Sequence, residues 1–192
     1  WEGGVEEFSL ALQTALAGEA IPETQLELQG EGDAAGFALT RLQAGLLGGA
    51  LQADGRIGWM EGLNWQLNLS AQGIDPGRQW SDWPGELAAR IESSGSLRDE
   101  LLGARVQLQR LDGRLRGLPL SGGGGFHLGP DSWRFTALEL RSGDNRLGLN
   151  GGPGTAEGLA WTVDFPDLAA TVPQMSGALR GRGRLSGDWP QT

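Results

Sequence analysis

The chain has no cysteine, no lysine and a single histidine, His127. Without cysteine there is no disulfide, no thiolate nucleophile and no Cys-ligated zinc or iron–sulfur centre. One histidine is too few for a His-rich metal site. All 15 basic residues are arginine, which removes P-loop ATPases, Schiff-base chemistry and Ser–Lys dyads. Basic charge is also outnumbered: 24 Asp and Glu give a net charge of −9 and a pI near 4.6. A generic nucleic-acid binder needs a basic footprint, and so does electrostatic docking on anionic lipid. No uncharged apolar run approaches the roughly 18–20 residues that span a bilayer. No secretory leader opens the sequence. Its ends, at Trp1 and Thr192, read as cuts within a pattern, so a fragment of a longer protein is expected.

What the chain has in excess is glycine, 34 of 192 residues, about 18% against a usual share of about 7%. No Gly-X-Y period runs through it, so collagen is excluded. Apolar residues make up 39% and include eight Trp and five Phe, which argues against disorder.

Those apolar residues recur at period two. Phe8, Leu10 and Leu12 alternate with Ser9 and Ala11; Trp65, Leu67 and Leu69 alternate with Gln66, Asn68 and Ser70. Val106-Leu108, Trp133-Phe135, Leu147-Leu149 and Trp161-Val163-Phe165 continue the alternation. Period two puts apolar side chains on one face of a sheet and polar ones on the other. Gly, Asp, Asn and Pro punctuate the runs at hairpin spacing. Helical signals are scarce. A strand is expected to end near Ser94, with a short helical turn or loop over 97–102. Leu outnumbers Ile and Val several-fold, although β-branched residues are the usual strand formers. Burial must therefore hold these strands.

The chain also matches itself. A shift of 96 lays Leu51-Gln-Ala-Asp-Gly55-Arg-Ile-Gly58-Trp-Met-Glu61-Gly62-Leu63-Asn-Trp65 on the segment from Leu147 to Trp161. Leu51, Gly55, Gly58, Glu61, Gly62, Leu63 and Trp65 recur as Leu147, Gly151, Gly154, Glu157, Gly158, Leu159 and Trp161. Two tandem units are expected, 1–112 and 113–192, in one continuous sheet. A sheet with one apolar face must cover it. Either it closes as a sandwich, or it curls and keeps an apolar trough of lipid-binding character.

Other motifs point to structure more than chemistry. Ser121-Gly122-Gly123-Gly124-Gly125 lacks the lysine of a phosphate loop and reads as a hairpin turn. Arg180, Arg182 and Arg184 share one strand face and read as a charged edge. Asn68-Leu69-Ser70 matches a glycosylation sequon inside a strand. His127 belongs to the polar face. Asp54, Glu61, Asp144 and Glu157 read as turn residues. Trp80 and Trp83 fit either a sugar-stacking platform or a cover for one end of the sheet.

Gly62-Leu63-Asn64-Trp65-Gln66-Leu67-Asn68-Leu69, Trp83-Pro84-Gly85-Glu86-Leu87 and the closing Gly177-Ala-Leu-Arg-Gly-Arg-Gly-Arg-Leu-Ser-Gly-Asp-Trp-Pro190 resemble the periplasmic repeats of the TamB family. This family supplies the inner-membrane component of the translocation and assembly module, within the AsmA-like, bridge-like lipid-transfer group. The resemblance implies an all-β fold: an elongated, curled antiparallel sheet, a β-taco or repeating β-groove, with an apolar concave face and minor helix at most. It implies the Gram-negative periplasm, with the full-length protein anchored in the inner membrane. It implies carriage of phospholipid between the membranes, support of outer-membrane protein assembly, and an Omp85-type outer-membrane partner, TamA. Acyl chains would lie along Phe8, Leu10, Leu12, Phe37, Leu39, Trp65, Leu67, Leu69, Val106, Leu108, Trp133, Phe135, Leu147, Leu149, Trp161, Val163 and Phe165. No catalytic residue, metal, cofactor or nucleic-acid partner is expected. The competing expectation is an extracellular β-solenoid adhesin or carbohydrate-binding module, in which the same residues form a closed core.

Overall fold

The computed structural model describes residues 7–18, 21–153, 155, 157–172 and 174–187. The strands are β1 (Phe8–Gly18), β2 (Ile21–Gly32), β3 (Gly36–Leu46), β4 (Gly49–Gly58), β5 (Leu63–Ile74) and β6 (Gly85–Arg98). They continue as β7 (Leu101–Leu115), β8 (Leu118–Leu128), β9 (Trp133–Ser142), β10 (Asn145–Gly151), β11 (Leu159–Phe165) and β12 (Leu179–Leu185). All 12 join one open, curled antiparallel sheet in chain order. Two short helical elements interrupt the connections: a 3₁₀ turn (Pro76–Arg78) after β5 and α1 (Leu168–Thr171) after β11.

Register carries the sequence alternation across the whole sheet. Thr14, Leu26, Ala44, Leu51, Ala71, Ala89, Leu111, Gly122, Leu140, Leu147, Val163 and Gly181 stand opposite one another, strand to strand, from β1 to β12. Side chains directly opposite in a ladder share a face. The opposite face carries the polar residues, as in Ser9↔Glu31, Arg56↔Gln66 and Asp54↔Asn68.

Bulges keep that register. The extra residue falls between Leu39 and Leu42 in β3, between Ala71 and Ile74 in β5, between Leu108 and Leu111 in β7, and between Phe135 and Leu138 in β9. Each turns an apolar spacing of two into three while leaving both residues on the same face. At three of these bulges the opposing position is a positive-φ glycine, Gly124 opposite Leu108 at φ +138 among them. Gly55 faces Leu39 at φ +149, and a Cβ there would lie 2.1 Å from the carbonyl oxygen of Gln66. Gly151 faces Phe135 at φ +84, and its Cβ would meet Gly158 O at 2.0 Å.

The internal repeat has a structural counterpart: β3, β4 and β5 occupy the matching segments of β9, β10 and β11, six strands on. The short helices match too. Asp75 caps the 3₁₀ turn through Gly77 N–H, and Asp167 caps α1 through Ala170 N–H. The expected division at 112/113 falls within β7.

Three local expectations are corrected. β6 runs on to Arg98 and β7 starts at Leu101, so no helical turn occupies 97–102. Asp99 and Glu100 have φ of 47° and 68°, the two positive values of a type I′ hairpin. Leu97 and Leu102 are cross-strand partners, which explains a leucine spacing that mimics a helix. Ser121–Gly125 is the interior of β8, not a turn. Its glycines make room for neighbours: a Cβ on Gly122 would stand 2.5 Å from Leu140 Cδ2. Asp54 lies within β4 and accepts a hydrogen bond from Asn68 Nδ2 at 2.9 Å, so it is a ladder residue. Glu61, Asp144 and Glu157 do lie in turns.

Candidate functional site

The sheet has almost no interior. Among the described residues only Leu39 and Ala44 are buried apolar side chains, each at 8% exposure, and no side chain is fully buried. The accessible surface is 13056 Å² for a 20.3 kDa chain, where a compact fold of that mass exposes about 8,800 Å². β1 and β12 do not pair with each other. The apolar face is therefore uncovered within the described chain, and the closed core of the competing expectation is absent.

The ladder places every expected groove residue on that face. Phe8, Phe37 and Trp65 lie near one end of the strands, with Ile57 between Phe37 and Trp65. Leu10, Leu39, Leu67, Val106 and Phe135 follow, then Leu12, Leu69, Leu108, Leu149 and Trp161, then Leu147 and Val163. Phe165 pairs with Leu179 near the far end. Leu39 is buried, Phe8, Leu10 and Leu12 are exposed, and the others are half-buried.

Sequence reasoning left out other residues of the same face: Leu26, Leu28, Leu42, Leu51, Ile57, Leu87, Ile91, Leu111, Leu120, Phe126, Leu128, Leu138 and Leu140. The period-two signal covered many of them. The spacings of three at the bulges hid the rest.

Glycine shapes the floor of this face. The Phe37 ring lies over Gly30 and the Phe8 ring over Gly32, where a Cβ would approach within 2.3 and 2.4 Å of the rings. The two rings stack with centroids 6.1 Å apart and planes 15° apart. Trp65 lies over Gly95, with 2.3 Å to a Cβ there, and Trp161 lies over Gly181 and Gly183. Large rings laid flat on glycines cover a sheet without standing up from it. Phe126, Trp133 and Phe135 form a second aromatic group, with centroids 5.2 to 6.5 Å apart.

The polar face has its own order. A depression of about 420 Å³ opens among Gln43, Gln52, Asp54, Asn68, Arg90, Glu92 and Gln109. Asn68 donates to Asp54, and Gln109 Nε2 donates to Glu92 at 2.6 Å. Two amide–carboxylate pairs thus cross this depression. His127 lies on this face between Arg105 and Arg134. Arg180, Arg182 and Arg184 are exposed on β12, and Arg180 Nε donates to Asp164 at 2.8 Å. Trp80 and Trp83 lie in the β5–β6 connection, Trp80 59% exposed. Among the described residues no helix is long and apolar enough to cross a membrane.

An open antiparallel sheet, polar on one face and apolar but uncovered on the other, defines the class: a repeating β-groove protein rather than a closed β-domain. The family model described as the TamB N-terminal domain matches residues 1–191, and the chain belongs to the TamB family. It is similar to the translocation and assembly module subunit TamB of Haemophilus influenzae, 23% identical over 168 residues. That alignment covers 87% of this chain and 13% of the relative, so the chain spans a small part of the length of that protein. No solved structure matches the chain.

Proposed function

We propose that the apolar face of this sheet is a lipid-carrying groove, one segment of a periplasm-spanning conduit between inner and outer membranes. The observation that carries the reading is an apolar face continuous across 12 strands and covered by nothing in the described chain. At about 4.8 Å per strand the ladder runs about 50 Å, several times the roughly 15 Å depth of one leaflet's hydrocarbon. Each buried CH₂ contributes about 0.8 kcal/mol. Leucine and flat rings, with no deep pocket among them, suit weak and repeated contacts along a path. The two repeat units follow one another along this one groove.

Membership of the TamB family supports the rest of the reading. The full-length protein is anchored in the inner membrane of a Gram-negative cell, acts without catalysis, and works with TamA in outer-membrane assembly. Phospholipid acyl chains are the ligands of this segment.

The test is native mass spectrometry of the chain purified from a Gram-negative periplasm without detergent. Bound phospholipid in the wild type, lost in Leu67→Asp and Val163→Asp, is the expected result. A lipid-free mass that stays unchanged when phospholipid vesicles are offered would overturn the proposal.

A further inference from the structure

The repeat places Trp65 and Trp161 at equivalent stations, but the indoles are turned differently: the Trp65 benzo edge lies over Gly95 with Nε1 facing Ser93, whereas the Trp161 Nε1 edge lies over Gly183 and its far benzo edge over Gly181. Both indoles lie across the next strand over glycine: Trp65 over Gly95, Trp161 over Gly183. At the first station the neighbouring residue on that strand is Ser93, and Trp65 Nε1–H donates to Ser93 Oγ at 3.0 Å. At the second station the corresponding position is Gly181, opposite Val163, as Ser93 is opposite Leu67. Gly181 has no hydroxyl to offer. Trp161 makes no hydrogen bond to any described residue, and its ring is half-buried on the apolar face. Its neighbours there, Leu149 and Val163, supply no side-chain acceptor.

We infer that the Trp161 indole N–H is a specificity-determining donor for the ester carbonyl of a glycerophospholipid. This rests on the lipid-groove reading above. With the groove open this N–H meets water; an alkyl chain laid over it takes that water away, and an acceptor delivered with the chain replaces it. A lipid carries two kinds of acceptor, its ester carbonyls and its phosphate. The carbonyls sit where chain meets headgroup, so they reach an apolar floor while the phosphate stays in water. Trp65 is already satisfied within the protein, so the two stations differ in what they ask of the lipid. The first is purely apolar; the second reads one polar atom.

The experiment compares binding of a diester phosphatidylcholine with its diether analogue, which keeps chains and phosphate but lacks the carbonyls. Both are offered as vesicles to the full chain, and bound lipid is counted by native mass spectrometry. The wild type should favour the diester about fivefold, the worth of one neutral hydrogen bond. Trp161→Phe keeps a flat ring and removes the donor, so the preference should vanish. Thr162→Val, on the polar face of the same strand, should leave the preference intact. Circular dichroism and thermal melts of each variant separate lost preference from lost fold. Equal binding of the two lipids by the wild type would overturn this inference and leave the groove reading standing. So would a preference that survives in Trp161→Phe. Binding of neither lipid would overturn both.

Discussion

Asn145 and Asp167 hold one another across the end of the sheet. Asn145 Nδ2 donates to Asp167 O at 2.7 Å, and Asp167 N–H donates back to Asn145 Oδ1 at 3.3 Å. Asn145 Nδ2 also reaches Thr171 Oγ1. At 3% exposure Asn145 is the most buried polar residue described, and through these bonds it fixes the chain that leaves β11 and forms α1. Arg116 Nη1 braces the same element from the β7–β8 turn, donating to Ala169 O at 2.8 Å. The earlier unit has an equivalent tie: Asp75 N–H donates to Leu47 O at 3.1 Å, joining the β5–β6 connection to the β3–β4 turn. Asn145→Ala removes the hydrogen bonds that the buried Asn145 amide makes to Asp167 and Thr171 and should cost about 1–3 kcal/mol. Urea unfolding, with the midpoint lowered and the slope unchanged, is the check. A midpoint equal to that of the wild type would show that the tie is incidental.

The bulge glycines make a sharper prediction. Gly55→Ala combines a disallowed φ with a Cβ 2.1 Å from Gln66 O, and should destabilise by about 2 kcal/mol or more. Gly45→Ala, in neighbouring β3, meets nothing within 4 Å and should fall within about 0.5 kcal/mol of the wild type. Thermal melts of the pair measure the contrast. Equal melting temperatures would sink the claim that the bulge register depends on Gly55.

Surface charge should matter little to stability. Arg98 and Glu61 approach to 3.5 Å between the β6 end and the β4–β5 turn, with side chains 57% and 79% exposed. Exposed pairs of this kind contribute between zero and about 1 kcal/mol and are screened by salt. Glu61→Gln is expected to shift the urea midpoint by no more than the measurement error at 0.15 M salt. A loss above about 1 kcal/mol would show that the pair fixes the two hairpin tips.

Much of this architecture was legible in the residues. Alternation such as Trp65-Gln66-Leu67-Asn68-Leu69 specifies a two-faced strand, and the match of Leu51–Trp65 to 147–161 foretold the correspondence of β4 and β5 with β10 and β11. What hid from the sequence was local backbone geometry. Leu97 and Leu101 mimic helical spacing because a two-residue turn at Asp99-Glu100 lies between them. Ser121–Gly125 resembles a turn because turns and crowded strands both require glycine, and only the opposing strand, with Leu140 above Gly122, tells them apart. Asp54 resembles a turn residue until Asn68 is seen beside it. The apolar face could be read from side-chain pattern alone. Whether anything covered it could not, because coverage depends on how the strands close and not on which residues they carry.

The account turns on that uncovered face, and the absence of cysteine from the chain makes it directly measurable. A single cysteine is placed at Leu67 on the apolar face or at Gln66 on the polar face, and its rate of maleimide labelling is followed with and without phosphatidylcholine vesicles. Leu67→Cys should label readily in the lipid-free protein and slow several-fold when lipid is added, while Gln66→Cys labels at one rate throughout. A Leu67→Cys that is unreactive without lipid, or equally reactive with and without it, would contradict an open groove that takes up lipid.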